Sequence, residues 1–432
     1  MTAAPVMSLD EAVALVRGTD SIGLPLGPGI PSAFLHHLAT RQSFESLDVF
    51  GALLVDLFEV FTRPGVRYRS GFFGPAERFL LASGARVEFV PSDFRRFEPL
   101  LQRLSPRIMA TLVSPPDAEG YMSLSLHAGA SISELRAAAA DPERICLVEV
   151  NPAAPRTWGT EQHPHRLHVS EVDVIVESDR PLFVLADAPV SPTEVAIAGH
   201  VAAFVHDGCT LQTGIGGIPS AVVAQLAMGD GGDYGVHSEM FTTGLMKLHQ
   251  AGKVSNKRKG QFDGFSVATF AAGTQELYDW LDGNDAVRFL PVSIVNAPDV
   301  IAANNDMITI NGALAVDLFG QVMADSIAGV QFSGIGGHED FVAMSGLELS
   351  DRSIICLPST SVIGGELFSR IDTTLGANAI VTTPRHQLDV VVTEWGAAEL
   401  RGLTVRERAQ ALARIAHPQF RERLLAATEA IG

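Results

Sequence analysis

Short uninterrupted runs of β-branched and aliphatic residues recur along this chain, separated by stretches of helical periodicity. That alternation limits the fold more than any other feature. The runs include Leu47–Val55, Ile108–Val113, Ile145–Val150 and Val172–Val176 in the first half, then Phe265–Ala271, Val287–Ile294, Ser353–Leu357 and Asp389–Thr393 in the second. A strand that reads as continuous Val, Ile and Leu, rather than alternating apolar with polar, is covered on both faces. With helical segments such as Ser220–Met228 and Val405–Ile415 in between, the expected class is α/β with parallel or mixed open sheets.

A chain of 432 residues exceeds what a single compact core holds, so two domains are expected. The stretch Ala186-Asp187-Ala188-Pro189-Val190-Ser191-Pro192-Thr193 carries two prolines and no periodicity, and Glu194–Val205 then reads as a helix opening the second half. The expected domains are 1–187 and 194–432, similar in size and both α/β, without detectable sequence repetition between them.

Charge and cysteine content exclude several classes of function. The net charge of −18 opposes a nucleic-acid partner or an anionic membrane surface. An anionic ligand can still be held locally, because helix N-termini present positive potential whatever the global charge. Cys146, Cys209 and Cys356 lie far apart in apolar surroundings and read as reduced core residues of a cytoplasmic protein. Asp10 and Glu11 interrupt the apolar pattern of the first 18 residues, unlike a signal peptide. No apolar run reaches the length of a membrane span.

Chemistry concentrates in the second half. The turn Gln212-Thr213-Gly214-Ile215-Gly216-Gly217-Ile218-Pro219 follows a short strand and leads into a helix, with Pro219 suited to its first turn. Loops of this kind, at the strand ends of an open α/β sheet, are where ligands bind; a plain strand-to-helix turn is the other reading. Downstream come Gly235-Val236-His237-Ser238-Glu239-Met240-Phe241 and a second glycine turn, Ser333-Gly334-Ile335-Gly336-Gly337-His338-Glu339-Asp340-Phe341. One carboxylate in apolar, small-residue surroundings, flanked by two turns rich in backbone N–H groups, suggests a nucleophile facing an oxyanion hole. A buried or helix-capping carboxylate is the alternative for Glu239.

Other constellations are weaker. His163, His165 and His168 are close in sequence, but Pro164 breaks any helix there and no ligand spacing emerges. Three successive residues such as His338-Glu339-Asp340 do not easily converge on one ion. Gly214-Ile215-Gly216-Gly217 lacks the G-x-G-x-x-G spacing of a dinucleotide site, because position 219 is proline.

Taken in order along the chain, the motifs resemble the acetyl-CoA hydrolase/transferase family of CoA-transferases, which includes 4-hydroxybutyrate, butyrate, acetate and succinate CoA-transferases. The resemblance spans nearly the whole length. In the first half it rests on Ser114-Pro115-Pro116-Asp117 with Gly120-Tyr121-Met122-Ser123-Leu124, on Glu149-Val150-Asn151 with Pro155-Arg156-Thr157, and on His168-Val169-Ser170 before Asp173. In the second it rests on both glycine turns, His237-Ser238-Glu239-Met240, Leu357-Pro358-Ser359-Thr360, Thr393-Glu394-Trp395-Gly396 and Ile415-Ala416-His417-Pro418.

The resemblance implies that Glu239 attacks an acyl-CoA thioester and passes through an acyl-glutamyl anhydride to a glutamyl-CoA thioester. It implies that amides around Ile215, Gly216 and Gly337 form the oxyanion site. It also implies that Gly214, Ile215, Gly216, Gly217 and Ile218 line the CoA path with Gly336 and Gly337, and that Asn311 and Ala313 contact CoA. Asn296 matches a family asparagine near the reacting carbonyl; an Asx turn ahead of Pro298 is its alternative. Arg352 stands where relatives carry a lysine beside CoA, and a cation there suits a phosphate.

Two departures stand out: His338 replaces a small polar residue, and Thr242-Thr243 replaces a Ser-Asp pair. Both are expected to line the acyl or acceptor pocket. The expected enzyme is a cytoplasmic, homo-oligomeric CoA-transferase, its active site in the cleft between the domains. Its substrates are an acyl-CoA and a free short-chain carboxylate; it holds no tightly bound cofactor or metal. An acyl-CoA hydrolase using the same glutamate and a CoA-binding regulator without turnover are the alternatives.

Overall fold

The computed structural model describes residues 3–187, 189–346 and 348–431. The chain divides into two compact units, Met1–Ala186 with Val267–Val295 and Asp187–Ser266 with Asn296–Gly432. Ala188, within the proline-bearing segment expected to separate two domains, lies outside the described residues. The segment 267–295, expected with the second half of the chain, instead clusters with the first unit. Its backbone is tied there: Ala271 N donates to Leu126 O at 2.9 Å and Val292 N to Gly129 O at 3.0 Å. Gly129 allows this approach, since a Cβ on it would meet Thr269 Oγ1 at 2.2 Å.

The first unit is built on eight strands: β1 (Val6–Met7), β2 (Thr19–Leu26), β3 (Ser46–Ala52), β4 (Val66–Ser70), β5 (Val87–Phe89), β6 (Ile108–Val113), β7 (Ile145–Val150) and β8 (Val174–Glu177). Their order is β1-β8-β7-β6-β2-β3-β4-β5, and every neighbouring pair is parallel. The central strand β2, Thr-Asp-Ser-Ile-Gly-Leu-Pro-Leu, is the one least legible as a strand because of Gly23 and Pro25. Gly23 is there for packing: a Cβ would sit 2.3 Å from Met109 Sδ on β6. Ile22, Leu24, Leu47, Val49, Tyr68, Ile108 and Val176 form the buried core around it, each such aliphatic side chain contributing about 1.5–3 kcal/mol.

The second unit carries six strands: β9 (Thr210–Thr213), β10 (Gly235–Val236), β11 (Met307–Gly312), β12 (Arg352–Cys356), β13 (Val390–Thr393) and β14 (Gly396–Glu399). Their order is β10-β9-β11-β12-β13-β14. The first four pairings are parallel and the β13–β14 edge is antiparallel. From β9 the chain sends β10 to one side and β11 to the other, which makes the C-terminal ends of β9 and β11 a topological switch point, the customary ligand position in such sheets. The glycine turn after Thr213, the segment His237–Glu239 after β10 and the end of β11 at Gly312 all emerge at this end.

The helix expected at 220–228 begins three residues earlier and spans Gly217–Met228. The run 287–294 is a strand only to Phe289, after which Val292–Val295 is helical.

Candidate active site

Glu239 follows two residues that are fully buried, His237 and Ser238. His237 N donates to Leu211 O at 3.1 Å, and Ser238 Oγ donates to Thr213 O at 3.0 Å. The loop after β10 is therefore stitched to the end of β9, just ahead of the first glycine turn. Beyond Glu239, Thr242 is the N-cap of a helix over Thr243–Gln250, its hydroxyl accepting from Leu245 N. A strand anchor on one side and a helix cap on the other leave the Glu239 backbone little freedom.

The Glu239 side chain meets Asn296, through it Asp340, and then a third group directly. Asn296 Nδ2 donates to Glu239 Oε2 at 2.9 Å, and the same nitrogen donates to Asp340 Oδ2 at 2.9 Å. Asn296 is fully buried, and its amide serves these two carboxylates rather than closing an Asx turn before Pro298. The third group is the backbone of Gly337, where a Cβ would stand 1.9 Å from Glu239 Oε2 and 2.8 Å from Asn296 Nδ2. No other residue type fits there unless the carboxylate moves. Gly337 is also the N-cap of the helix His338–Met344, and Gly336 before it turns the chain with φ +56°.

Burial dominates the electrostatics. Partial burial of the Glu239 carboxyl group pushes its pKa up to about 8; the Asn296 hydrogen bond pulls it down and the nearby Asp340 charge adds to the rise. A carboxyl group perturbed this far, by desolvation together with a specific charge partner, marks a candidate functional site.

The first glycine turn is open. Nothing lies within 4 Å of where a Cβ on Gly214 or Gly216 would be. Gly216 has φ +117°, and Ile215 is 50% exposed. From Gly217 and Ile218 the chain continues as a 12-residue helix, so its first amides point back toward this turn. Asn311, near the end of β11, is largely buried and exchanges amide hydrogen bonds with Gln212 at 3.3 Å. Ala313 N is held by Cys356 O at 3.1 Å.

Arg352 is not brought to this end of the sheet. It opens β12 opposite Ile308, whereas Cys356 lies opposite Gly312 at the glycine-turn end. Four residues of strand correspond to roughly 13 Å. Its guanidinium faces Glu399 at 3.4 Å and Asp389 at 3.9 Å. The expected CoA contact through this cation therefore does not follow from its position.

The two departures also settle into structural positions. His338 Nε2 lies 2.9 Å from Thr383 Oγ1, and burial pushes its pKa down to about 4. Thr242 caps a helix, as above, and Thr243 is buried. The histidine cluster of the first unit disperses: His165 Nε2 lies 3.0 Å from Ser125 O and His168 Nε2 lies 2.9 Å from Glu119 O. Among the described residues no group of three His, Cys, Asp or Glu side chains is arranged to hold a metal ion, and no helix is long and apolar enough to cross a membrane.

Asp340 and Ser238 escape a reading of the sequence. Asp340 is set aside there as part of an improbable metal triplet, and only its position on the helix after Gly337 turns it onto Asn296. The remaining signal is the spacing, an acid three residues beyond a glycine N-cap.

The model for the acetyl-CoA hydrolase/transferase C-terminal domain matches residues 273–428. Succinyl-CoA:cyclohexane-1-carboxylate CoA transferase of Geobacter metallireducens is 38% identical over 97% of this chain and 94% of that protein. The 4-hydroxybutyrate coenzyme A transferase of Clostridium kluyveri is 39% identical over 97% of this chain and 96% of its own length. Among solved structures, RipA from Yersinia pestis superposes with a TM-score of 0.90 at 33% identity, over 99% of this chain and 97% of that one.

Proposed function

The chain belongs to the acetyl-CoA hydrolase/transferase family, it is an acyl-CoA:carboxylate CoA-transferase, and we propose that it works through covalent intermediates on Glu239. The contact of Glu239 with Asn296 and Gly337 carries this reading.

The chemistry runs in four transfers. The Glu239 carboxylate adds to the thioester carbonyl of the acyl-CoA; the C–S bond breaks and CoA leaves as thiolate, giving an acyl-glutamyl anhydride. The thiolate then attacks the glutamyl carbonyl, expelling the donor acid as a carboxylate and leaving Glu239 as a CoA thioester. An acceptor carboxylate attacks that thioester, forming a new anhydride and freeing the thiolate again. Attack of the thiolate on the new acyl carbonyl releases the product acyl-CoA and regenerates Glu239.

The first transfer is uphill for an ordinary glutamate. A carboxylate of pKa about 4.3 expelling a thiolate of pKa about 8.5 faces a mismatch of roughly four units, or about 6 kcal/mol. The buried site alters that comparison. The raised basicity of Glu239 lessens this mismatch, and the accompanying cost is that less of Glu239 is ionised at neutral pH. Asn296 supplies an N–H to the oxygen that keeps the charge when the glutamyl carbonyl is attacked, and such preorganised donors are among the largest contributors to acyl transfer. The open turn at Gly214–Gly216 suits the approach of the CoA arm, the helix amides behind it favouring negative charge.

Incubation with acyl-CoA and no acceptor acid is expected to leave a CoA-sized mass adduct on the peptide containing Glu239. Glu239→Gln, checked for deamidation, is expected to abolish it while still binding acyl-CoA. An adduct on another residue, or near wild-type turnover in the variant, overturns the mechanism. CoA release that ignores the presence of acetate, propionate or 4-hydroxybutyrate would identify the protein as a hydrolase instead.

A further inference from the structure

We propose that Asp340 is the positioning residue for Glu239, acting through the Asn296 amide that both carboxylates share. The inference rests on the glutamyl mechanism above and deepens it.

An amide nitrogen carries two hydrogens, and here both are committed. One goes to Glu239 and the other to Asp340, each at 2.9 Å. The amide oxygen, Asn296 Oδ1, is buried and has no hydrogen-bond partner among the described residues. Nothing on the acceptor side therefore holds the amide in place, and its orientation is decided by the two carboxylates. The flipped amide would set Oδ1 against the Asp340 carboxylate and bury the nitrogen's two donors unmet, at about 1–3 kcal/mol for each buried group left unsatisfied.

This second anchor matters most during turnover. In the anhydride and thioester states, as when Glu239 is protonated, its side chain has no negative charge and offers the amide only a carbonyl oxygen. Asp340 keeps its own hydrogen bond throughout, so the other N–H stays aimed at the glutamyl carbonyl in every covalent state. Asp340 is fully buried, and its proximity raises the basicity of Glu239, in the same direction as burial. Gly337 closes the arrangement, because the backbone passes close enough to Glu239 Oε2 that no side chain fits there.

A competing role for Asp340 is purely local: an acid in the first turn of the helix His338–Met344, favourable to the helix dipole. The two roles separate experimentally. Asp340→Asn removes the charge at nearly constant shape. In the protein without substrate, the carboxyl infrared band lost in Glu239→Gln reports the ionisation of Glu239. Asp340→Asn is expected to move that titration downward by about one pH unit. It is also expected to slow formation of the Glu239–CoA adduct on the order of 100-fold. The double variant with Asn296→Ala is expected to be little slower than Asn296→Ala alone, because Asp340 acts through that amide.

An unchanged titration with a fully additive double variant, and an effect confined to the melting temperature, would assign Asp340 to the helix and overturn the inference. Should Asp340→Asn not fold, Asp340→Ser tests the same loss of charge with the same readouts. A wild-type protein that forms no Glu239 adduct defeats the mechanism while leaving the titration comparison standing. A normal adduct with an unshifted titration defeats only Asp340.

Discussion

The second unit contains the tetrapeptide Gly-Ile-Gly-Gly twice, at 214–217 and 334–337, and the two copies end on the same kind of contact. A Cβ on Gly217 would meet the Glu194 carboxylate at 1.8 Å, and a Cβ on Gly337 would meet the Glu239 carboxylate at 1.9 Å. Glu194 is a capping acid: it accepts from Ser191 N at 2.7 Å at the start of the helix Pro192–Ala202. Its oxygens satisfy a helix end, accepting from both the backbone and the hydroxyl of Ser191. Glu239 is surrounded by Asn296, Asp340 and buried backbone, and burial pushes it up to about 8. Identical local sequence thus delivers a helix cap in one place and a candidate nucleophile in the other. The difference lies in what the rest of the fold packs around each carboxylate.

Replacing the two final glycines tests this contrast most severely. Gly337→Ala must displace Glu239 or Asn296 by more than an ångström, and a misplacement of that size costs on the order of 100-fold in kcat. Measured kcat within a few-fold of wild type would show that the Glu239 position is less constrained than the packing implies.

The same contrast appears in stability against pH. Glu239 has a folded pKa near 8, above its unfolded value of about 4.3. The folded state therefore binds a proton that the unfolded state has lost between these values. The associated stability is fully present below about pH 4, falls as pH rises, and is gone once pH has passed 8. Glu239→Gln carries no such proton, and it is expected to be a few kcal/mol more stable than wild type at pH 8–9, with the advantage shrinking toward pH 5. Thermal melts across this range that run parallel for the two proteins would contradict a raised pKa.

The smallest effect is expected at the other copy of the tetrapeptide. Gly217→Ala pushes aside the flexible end of Glu194 and weakens a helix cap, at about 1 kcal/mol. It should register in Tm and in the KM for acyl-CoA, with kcat within a few-fold. A collapse of kcat as large as that of Gly337→Ala would erase the distinction between the two turns.

How far the site was legible varies with the kind of signal. Glu239, Asn296 and Gly337 stand in recognisable motifs, and the fold brings all three into contact. Arg352 is placed differently: it opens its strand away from the glycine-turn end and faces Glu399 and Asp389. Asp340 escapes a reading of the sequence. Among three consecutive polar residues, only the helix that begins after Gly337 decides which one faces Asn296.

What the sequence determined by itself is local in origin: the α/β class, from strand runs covered on both faces; the glycine turns, from residues free to take positive φ; and the identity of a carboxylate set in apolar surroundings. What only the tertiary structure decided depends on partners distant along the chain. Strand β2 is central although its glycine and proline argue against a strand, because Met109 fills the space above Gly23. Segment 267–295 joins the first unit, because its backbone bonds are made with Leu126 and Gly129. The raised pKa of Glu239 arises from burial and from residues 57 and 101 positions further on, Asn296 and Asp340. Desolvation and close packing are properties of surroundings, and the folded chain alone assembles those.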